Sequence, residues 1–175
     1  AIQGDMLTKL WKEQNVEVDR NENGKLDYVL VEGEETHFDA IRRTNGFLEN
    51  SSGINLNRLE NMAADWKRTI AHDKFSELDK EVINHVEAVV CHNDDMALGI
   101  YDYYKANQME IPVILGINNN SEMNEKIKAD EIYGTVDNDI EGQVTYMSKL
   151  LDDILQGQAK EFEKVWYSKP HAVIQ

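Results

Sequence analysis

A chain of 175 residues with 41% hydrophobic content holds enough apolar material for the core of one ordinary domain. A formal charge of -15 excludes a surface built to track phosphates, so neither nucleic acid nor an anionic membrane is an expected partner. No apolar run reaches the roughly eighteen residues of a membrane span.

The first residues, Ala1-Ile2-Gln3-Gly4-Asp5, contain neither a basic nor an apolar targeting segment. A helical pattern follows at once through Met6, Leu7, Leu10 and Trp11, and there is no initiating methionine, so the chain reads as a piece of a longer one. Apolar spacing predicts an amphipathic helix from Asp5 to about Val18.

The stretch Asp19-Arg20-Asn21-Glu22-Asn23-Gly24-Lys25-Leu26-Asp27 places oxygen-bearing side chains at loop positions 1, 3, 5 and 9, with glycine at position 6. Alternate side chains of such a tight loop converge on one point, and the glycine permits the sharp bend. Position 12, where an EF-hand carries glutamate, is Leu30 inside the run Tyr28-Val29-Leu30-Val31, so the loop opens a strand. Two readings stay open on these residues: a calcium loop completed by a remote carboxylate, or a polar Asn-Gly turn with no metal.

A polar turn through His37 leads to a helix ending near Leu48, with Ala40, Ile41, Thr44 and Phe47 expected inside, and Asn50-Ser51-Ser52-Gly53 stops it. A short strand is expected over Asn57 to Met62 and a helix from about Lys67 to Asn84. Val86 to Cys91 reads as a buried strand, with Cys91 a buried thiol, and Asn93-Asp94-Asp95 leads into a helix from Met96 to Asn107. Strand Ile111 to Ile117, helix Ser121 to Lys128 and strand Ile132 to Val136 complete an alternation of strands and helices. That order predicts an α/β fold, a doubly wound and mostly parallel sheet with helices on both faces and a ligand crevice at the carboxyl ends of the strands.

Several of these residues resemble one family in order along nearly the whole chain: Ile2-Gln3-Gly4-Asp5, the loop Asp19 to Asp27, His37-x-Asp39-x-x-x-Arg43, Asp65-Trp66, Asn93-Asp94-Asp95-Met96-Ala97-Leu98-Gly99, Ile111-Pro112-Val113 and Gly134-Thr135-Val136. They look like the C-terminal lobe of the bacterial periplasmic galactose/glucose-binding proteins, the solute receptors of ABC sugar import. The resemblance implies a periplasmic-binding-protein-like lobe over residues 1–137, and a crossover plus part of the other lobe over 138–175. It also implies a structural Ca2+ held by the side chains of Asp19, Asn21, Asn23 and Asp27, the carbonyl of Lys25 and the remote carboxylate of Glu87.

The family's sugar site falls here on His37, Asp39, Arg43, Trp66, Asn93, Asn118 and Asn138. The chemistry suits a glucose- or galactose-type monosaccharide, whose rim of hydroxyls wants planar polar groups and whose C–H faces want an aromatic plate. Asp39 and Arg43, four apart on one helix, can address neighbouring hydroxyls. Each residue also has a plainer reading as a surface ion pair, a core aromatic or a cap. Asn118 departs from the family, which places aspartate there, and an amide offers one acceptor and one donor group instead.

The resemblance further implies an extracytoplasmic setting, an ABC permease and a second, N-terminal lobe as partners, with a chemoreceptor role open. Helix Ile140 to Gln156 and the segment Phe162 to Ile174 would belong to the other lobe. The stripe Ile140, Val144, Met147, Leu150, Leu151, Ile154 and Leu155 would then fold back on this lobe, pair with another copy of the chain or stay disordered. A sugar-responsive transcription regulator shares the fold, but a calcium loop is foreign to that group. Catalysis is not expected: Asp39, Asp94 and Asp95 read better as a ligand contact and helix-start residues than as the carboxylate pair of a glycoside hydrolase.

Overall fold

A computed structural model describes residues 1–158 and 165–175. Six strands form one sheet in the order β2-β1-β3-β4-β5-β6. They are β1 (Leu26–Glu32), β2 (Leu56–Ala63), β3 (Ala88–Cys91), β4 (Val113–Leu115), β5 (Gly134–Asp137) and β6 (His171–Ile174). The first five pair in parallel and β6 pairs antiparallel to β5. The expected doubly wound sheet is therefore present, with one antiparallel edge.

Strand β1 is buried at nearly every position because both of its faces are covered, and its run Tyr28 to Val31 is accordingly unbroken apolar and aromatic. Tyr28 and Leu30 point to one side, with Ala88, Val90 and Leu115, and pack on α1 (Ile2–Val18) and α2 (Phe38–Asn50) through Met6, Leu7, Leu10 and Phe47. Val29 and Val31 point to the other, with Val89, Cys91 and Ile114. That side is covered by α3 (Arg68–Ser76), α4 (Lys80–His85), α5 (Asp94–Ala106) and α6 (Ser121–Lys128) through Phe75, Ile83, Ile100, Tyr104, Met123 and Ile127. Cys91 is the buried thiol expected of it, and burial pushes its pKa up.

Two local differences from the sequence reading have physical causes. The helix expected over 67–84 is broken into α3 and α4, because the Asp79 carboxylate accepts from the Glu81 N–H at 2.9 Å and starts a new helix. Ile41 does not face inward: the inner face of α2 is spaced through Ala40, Thr44 and Phe47, which leaves Ile41, with Phe38 and Leu48, on the exposed side. Part of the segment expected over Phe162 to Ile174 falls on residues 159–164, outside the described residues. Its last four described strand residues, His171–Ile174, lie on the sheet of residues 1–137, in register Thr135↔Val173 and Asp137↔His171.

Helix α7 (Ile140–Leu155) leaves Ile140, Val144, Met147, Leu151, Ile154 and Leu155 each at least half exposed. Trp166 stacks on its Tyr146 with ring centroids 5.0 Å apart. Among the described residues no helix is long and apolar enough to cross a membrane.

Helices α3 and α5 meet at Gly99, where a side-chain carbon would overlap the backbone carbonyl of Arg68. Gly99→Ala is expected to lower unfolding stability by about 1–3 kcal/mol, measured by urea denaturation, because the clash is with backbone that cannot rotate away.

Candidate functional site

The strand order reverses between β1 and β3: the chain leaves β1 towards β2 across one face and returns to β3 across the other. At such a switch point the loops after the two strands diverge and leave a crevice beyond their carboxyl ends. The loop after β1 carries Gly33 and His37, the loop after β3 carries His92 and Asn93, and the loop after β2 carries Asp65 and Trp66.

Eight non-glycine residues have positive φ among the described residues, and five of them, Asp65, Trp66, Asn118, Asn119 and Asp139, follow the carboxyl ends of strands. An aromatic residue in the left-handed region, as Trp66 is at φ 64°, is held there against its own preference. The surroundings supply the hold. The indole lies on Gly33, where any side-chain carbon would overlap it. His37 meets its ring edge-on at 5.4 Å, and the guanidinium carbon of Arg43 sits 5.2 Å from its centroid. Asn93 donates its Nδ2–H to the Trp66 carbonyl at 3.0 Å and accepts from the Met96 N–H at 2.9 Å, which caps α5.

Beneath this plate lies His92, buried and 6.2 Å from the indole, a residue the sequence reading did not single out. Burial pushes its pKa down to about 4, so the ring is neutral at physiological pH. Its carbonyl accepts from Arg43 Nη1, and Arg43, half-buried, has its own pKa lowered by burial. Thr44 and Glu32, which join His92 through hydrogen bonds, were likewise unmarked in the sequence.

Asn118 and Asn138, after β4 and β5, form a pair in which Asn138 Nδ2 donates to Asn118 Oδ1 at 2.9 Å. Asn138 also lines, with Asp39, Arg42, Arg43 and Gln143, a shallow depression of 230 Å³, and with Arg43 and Gln3 a second of 220 Å³. Arg43 thus links the Trp66 group to the amide pair. A larger hollow of 740 Å³ lies at the amino ends of the strands, where Val113 begins β4 and Tyr133 precedes β5. It is away from the switch point, and the smaller depressions are the ones at the crevice.

The loop Asp19 to Asp27 is wound as its spacing predicts. Asp19 accepts from the N–H groups of Asn23 and Gly24 at 3.0 and 2.8 Å, and Gly24 has φ 72°. Glu87 comes to it from 60 residues away, accepting from the N–H groups of Asp27 at 2.9 Å and Arg20 at 2.7 Å. Glu87 is buried, and burial raises its pKa while these N–H groups oppose the rise. The six candidate groups all end in oxygen, the donor type a hard divalent cation takes. Asp27 meets side-chain amides instead: Asn21 and Asn23 on one oxygen, Asn57 at 2.6 Å on the other. Among the described residues no group of three or more His, Cys, Asp or Glu side chains is gathered closely enough to hold a metal.

The family described as the periplasmic binding protein domain matches residues 1–159. The D-galactose/methyl-galactoside binding periplasmic protein of Haemophilus influenzae is 34% identical, over 98% of this chain and 52% of its own length. The chain therefore spans about half the length of that curated relative. Among solved structures, an ABC transporter periplasmic solute binding protein from Actinobacillus succinogenes with bound D-allose has a TM-score of 0.79 at 17% identity, over 99% of this chain and 58% of that one. A glucose-galactose binding protein from Geobacillus stearothermophilus has 0.77 at 17%, over 98% and 59%. At that identity the two structures share the fold.

A histidine whose folded pKa lies below its unfolded value contributes stability that is full above about pH 6.5 and lost as pH falls towards 4. Roughly 3 kcal/mol is at stake for His92. Glu87 and Asp94, raised by burial, act in the opposite sense at acid pH, so a comparison with His92→Gln isolates the histidine. The variant is expected to lose less stability than the parent between pH 6.5 and 4, read from denaturation midpoints.

Proposed function

The chain belongs to the periplasmic binding protein family, and from that premise we propose that it is one lobe of a non-catalytic, extracytoplasmic monosaccharide receptor that serves an ABC importer. The observation that carries the reading is the grip on Trp66: a backbone-strained indole held flat by Gly33, His37 and Arg43 at the switch point of the sheet. An indole held so offers its face to the C–H side of a pyranose, an apolar contact that hydroxyl-rich ligands need for affinity. Around it, Arg43 and Asp39 supply charged donors and acceptors for vicinal hydroxyls, and Asn93, Asn118 and Asn138 supply amides that both donate and accept. A ligand in the crevice would meet the second lobe of a longer protein on its other side, and closure of the two lobes would shield it from water.

In this reading residues 1–137 form the sugar lobe, and α7 lies on the crossover that begins at Asn138. The galactoside named for the Haemophilus relative and the glucose and galactose named for the Geobacillus protein make hexoses the first ligands to try. Asn118 bears on the choice. Its Oδ1 accepts from Asn138 with one of its two lone pairs, so the amide can still offer a ligand one acceptor position beside its N–H donors, where an aspartate would offer acceptors alone.

Calcium completes the proposal as a structural ion in the loop Asp19 to Asp27. Asp19, Asn21, Asn23 and Asp27, the Lys25 carbonyl and Glu87 would hold it, taking the place of the amide contacts on Asp27 and fixing the loop against the start of β3. The ion lies far from the crevice and takes no part in sugar contact.

Titrating the chain with glucose and galactose by calorimetry is expected to give saturable binding that Arg43→Ala and Trp66→Ala each weaken by about tenfold or more; absence of binding to any hexose would overturn the sugar assignment for this lobe. Calcium in hundredfold excess over its dissociation constant is expected to add about 2.7 kcal/mol to stability in a thermal melt, reversed by chelator. Asp19→Ala and Glu87→Ala are expected to abolish that increment, and an unchanged melt in the parent chain would remove the ion from the proposal.

A further inference from the structure

We propose that His92 is the positioning residue of the crevice: a chain of hydrogen bonds that starts buried at Gly33, passes through the histidine ring to Thr44 and Glu32 and reaches the surface at Asn61 holds Trp66 and Arg43 where a ligand meets them. The inference rests on the sugar reading for what the site binds, but not for the geometry that links these residues.

The direction of the chain follows from donors and acceptors alone. The Gly33 N–H points at His92 Nδ1 at 3.2 Å, so Nδ1 carries no proton, and in a neutral ring the proton is on Nε2. Nε2–H then donates to Thr44 Oγ1 at 3.2 Å, which leaves the Thr44 hydroxyl to donate to Glu32 Oε1. The other Glu32 oxygen accepts from Asn61 Nδ2 at 2.8 Å. Every link has one orientation, since a carboxylate accepts only and an amide N–H donates only. The ring is thereby fixed by one contact on β1's exit loop, one on α2 and, through Glu32, one on β2.

Both ligand-facing groups depend on that fixed ring. Gly33, pinned by His92, is the surface on which the Trp66 indole lies, with no room for even one more carbon between them. The His92 carbonyl accepts from Arg43 Nη1, and its ring lies 6.2 Å from the indole at 35°. One residue thus sets the height of the aromatic plate through its side chain and the reach of the guanidinium through its backbone. A histidine that merely filled the core would need partners for its nitrogens but no contact with the groups that face the crevice.

The two ring nitrogens can be separated by substitution. Asparagine places an oxygen where Nδ1 stands and keeps the acceptor for Gly33; glutamine keeps a polar group facing Thr44; leucine keeps neither. The readout is the emission maximum of Trp66 in the ligand-free chain carrying Trp11→Phe and Trp166→Phe, together with hexose affinity in the same background. His92→Leu is expected to shift the emission and weaken binding by about tenfold, and His92→Asn to restore both, because the floor under the indole is restored.

Thr44→Val, which removes one hydroxyl at nearly constant volume, serves as the second variant should His92→Leu fail to fold, and it is expected to shift the emission in the same direction. Unchanged emission in both His92→Leu and Thr44→Val, or a His92→Asn variant no better than leucine, would overturn the inference. If the parent binds no hexose while the emission shifts and is rescued as stated, the positioning role stands and the sugar reading fails.

Discussion

Strand β1 pairs in parallel with β2 on one side and with β3 on the other, and this divergence is the constraint from which the crevice follows. Both faces of β1 are covered by helices, so its carboxyl end is the place where backbone leaves the sheet in two directions. The loops there cannot continue as regular structure, and Gly33, just after β1, comes to lie under the indole of Trp66, whose left-handed backbone follows β2. Strain at Trp66 and absence of a side chain at Gly33 are two sides of one arrangement. The indole can lie flat only because the backbone beneath it is bare, and it stays flat because His37, Arg43 and Asn93 leave it no other course.

Electrostatics follow the same geometry. The chain is strongly acidic, yet the depression between α2 and Asn138 brings Arg42 and Arg43 together with a single carboxylate, Asp39. Deeper in, charge is admitted only with full hydrogen bonding. Asp94, buried at the start of α5, accepts from Thr135 Oγ1 at 2.5 Å and from the Asn120 N–H at 2.8 Å, which ties β3's exit to β5 and to the start of α6. Glu87 does the same at the opposite end of β3, where its oxygens gather the N–H groups of the Asp19 to Asp27 loop. The two ends of one strand are thus each fastened by a buried carboxylate, one under the crevice and one beside the loop.

Beyond β5 the chain changes character. Asp139 takes a left-handed backbone, caps α7 through Gly142 and accepts from the Lys169 N–H at 2.8 Å, so the outgoing helix and the returning segment are tied at one residue. The apolar residues of α7 recur at spacings of four and three, the seam by which a helix packs on a neighbour, and here that seam faces outward. The return to β6 gives the sheet an antiparallel edge and buries the side of Gly134, where a Cβ would meet the Val173 carbonyl.

By itself the sequence determined the elements whose signal is local. The run Tyr28 to Val31 and the run Ala88 to Cys91 had to be buried strands, because unbroken β-branched and apolar residues suit a strand covered on both faces; the ligand rhythm from Asp19 to Asp27 had to wind a tight loop. Resemblance to a family then marked Trp66, Arg43, His37 and Asn93, which the fold brings together around one ring. What only the tertiary structure decided are relations between distant residues. Nothing near His92 in the chain announces that its ring accepts from Gly33, 59 positions earlier, or that Thr44 and Glu32 continue the line. Four residues at His171–Ile174 are too few for an alternation to be read, and their place is set by the free edge of β5. Propensity and periodicity are properties of neighbours along the chain, whereas a hydrogen-bond direction or a sheet edge is settled only when elements that are far apart in sequence come to share one surface.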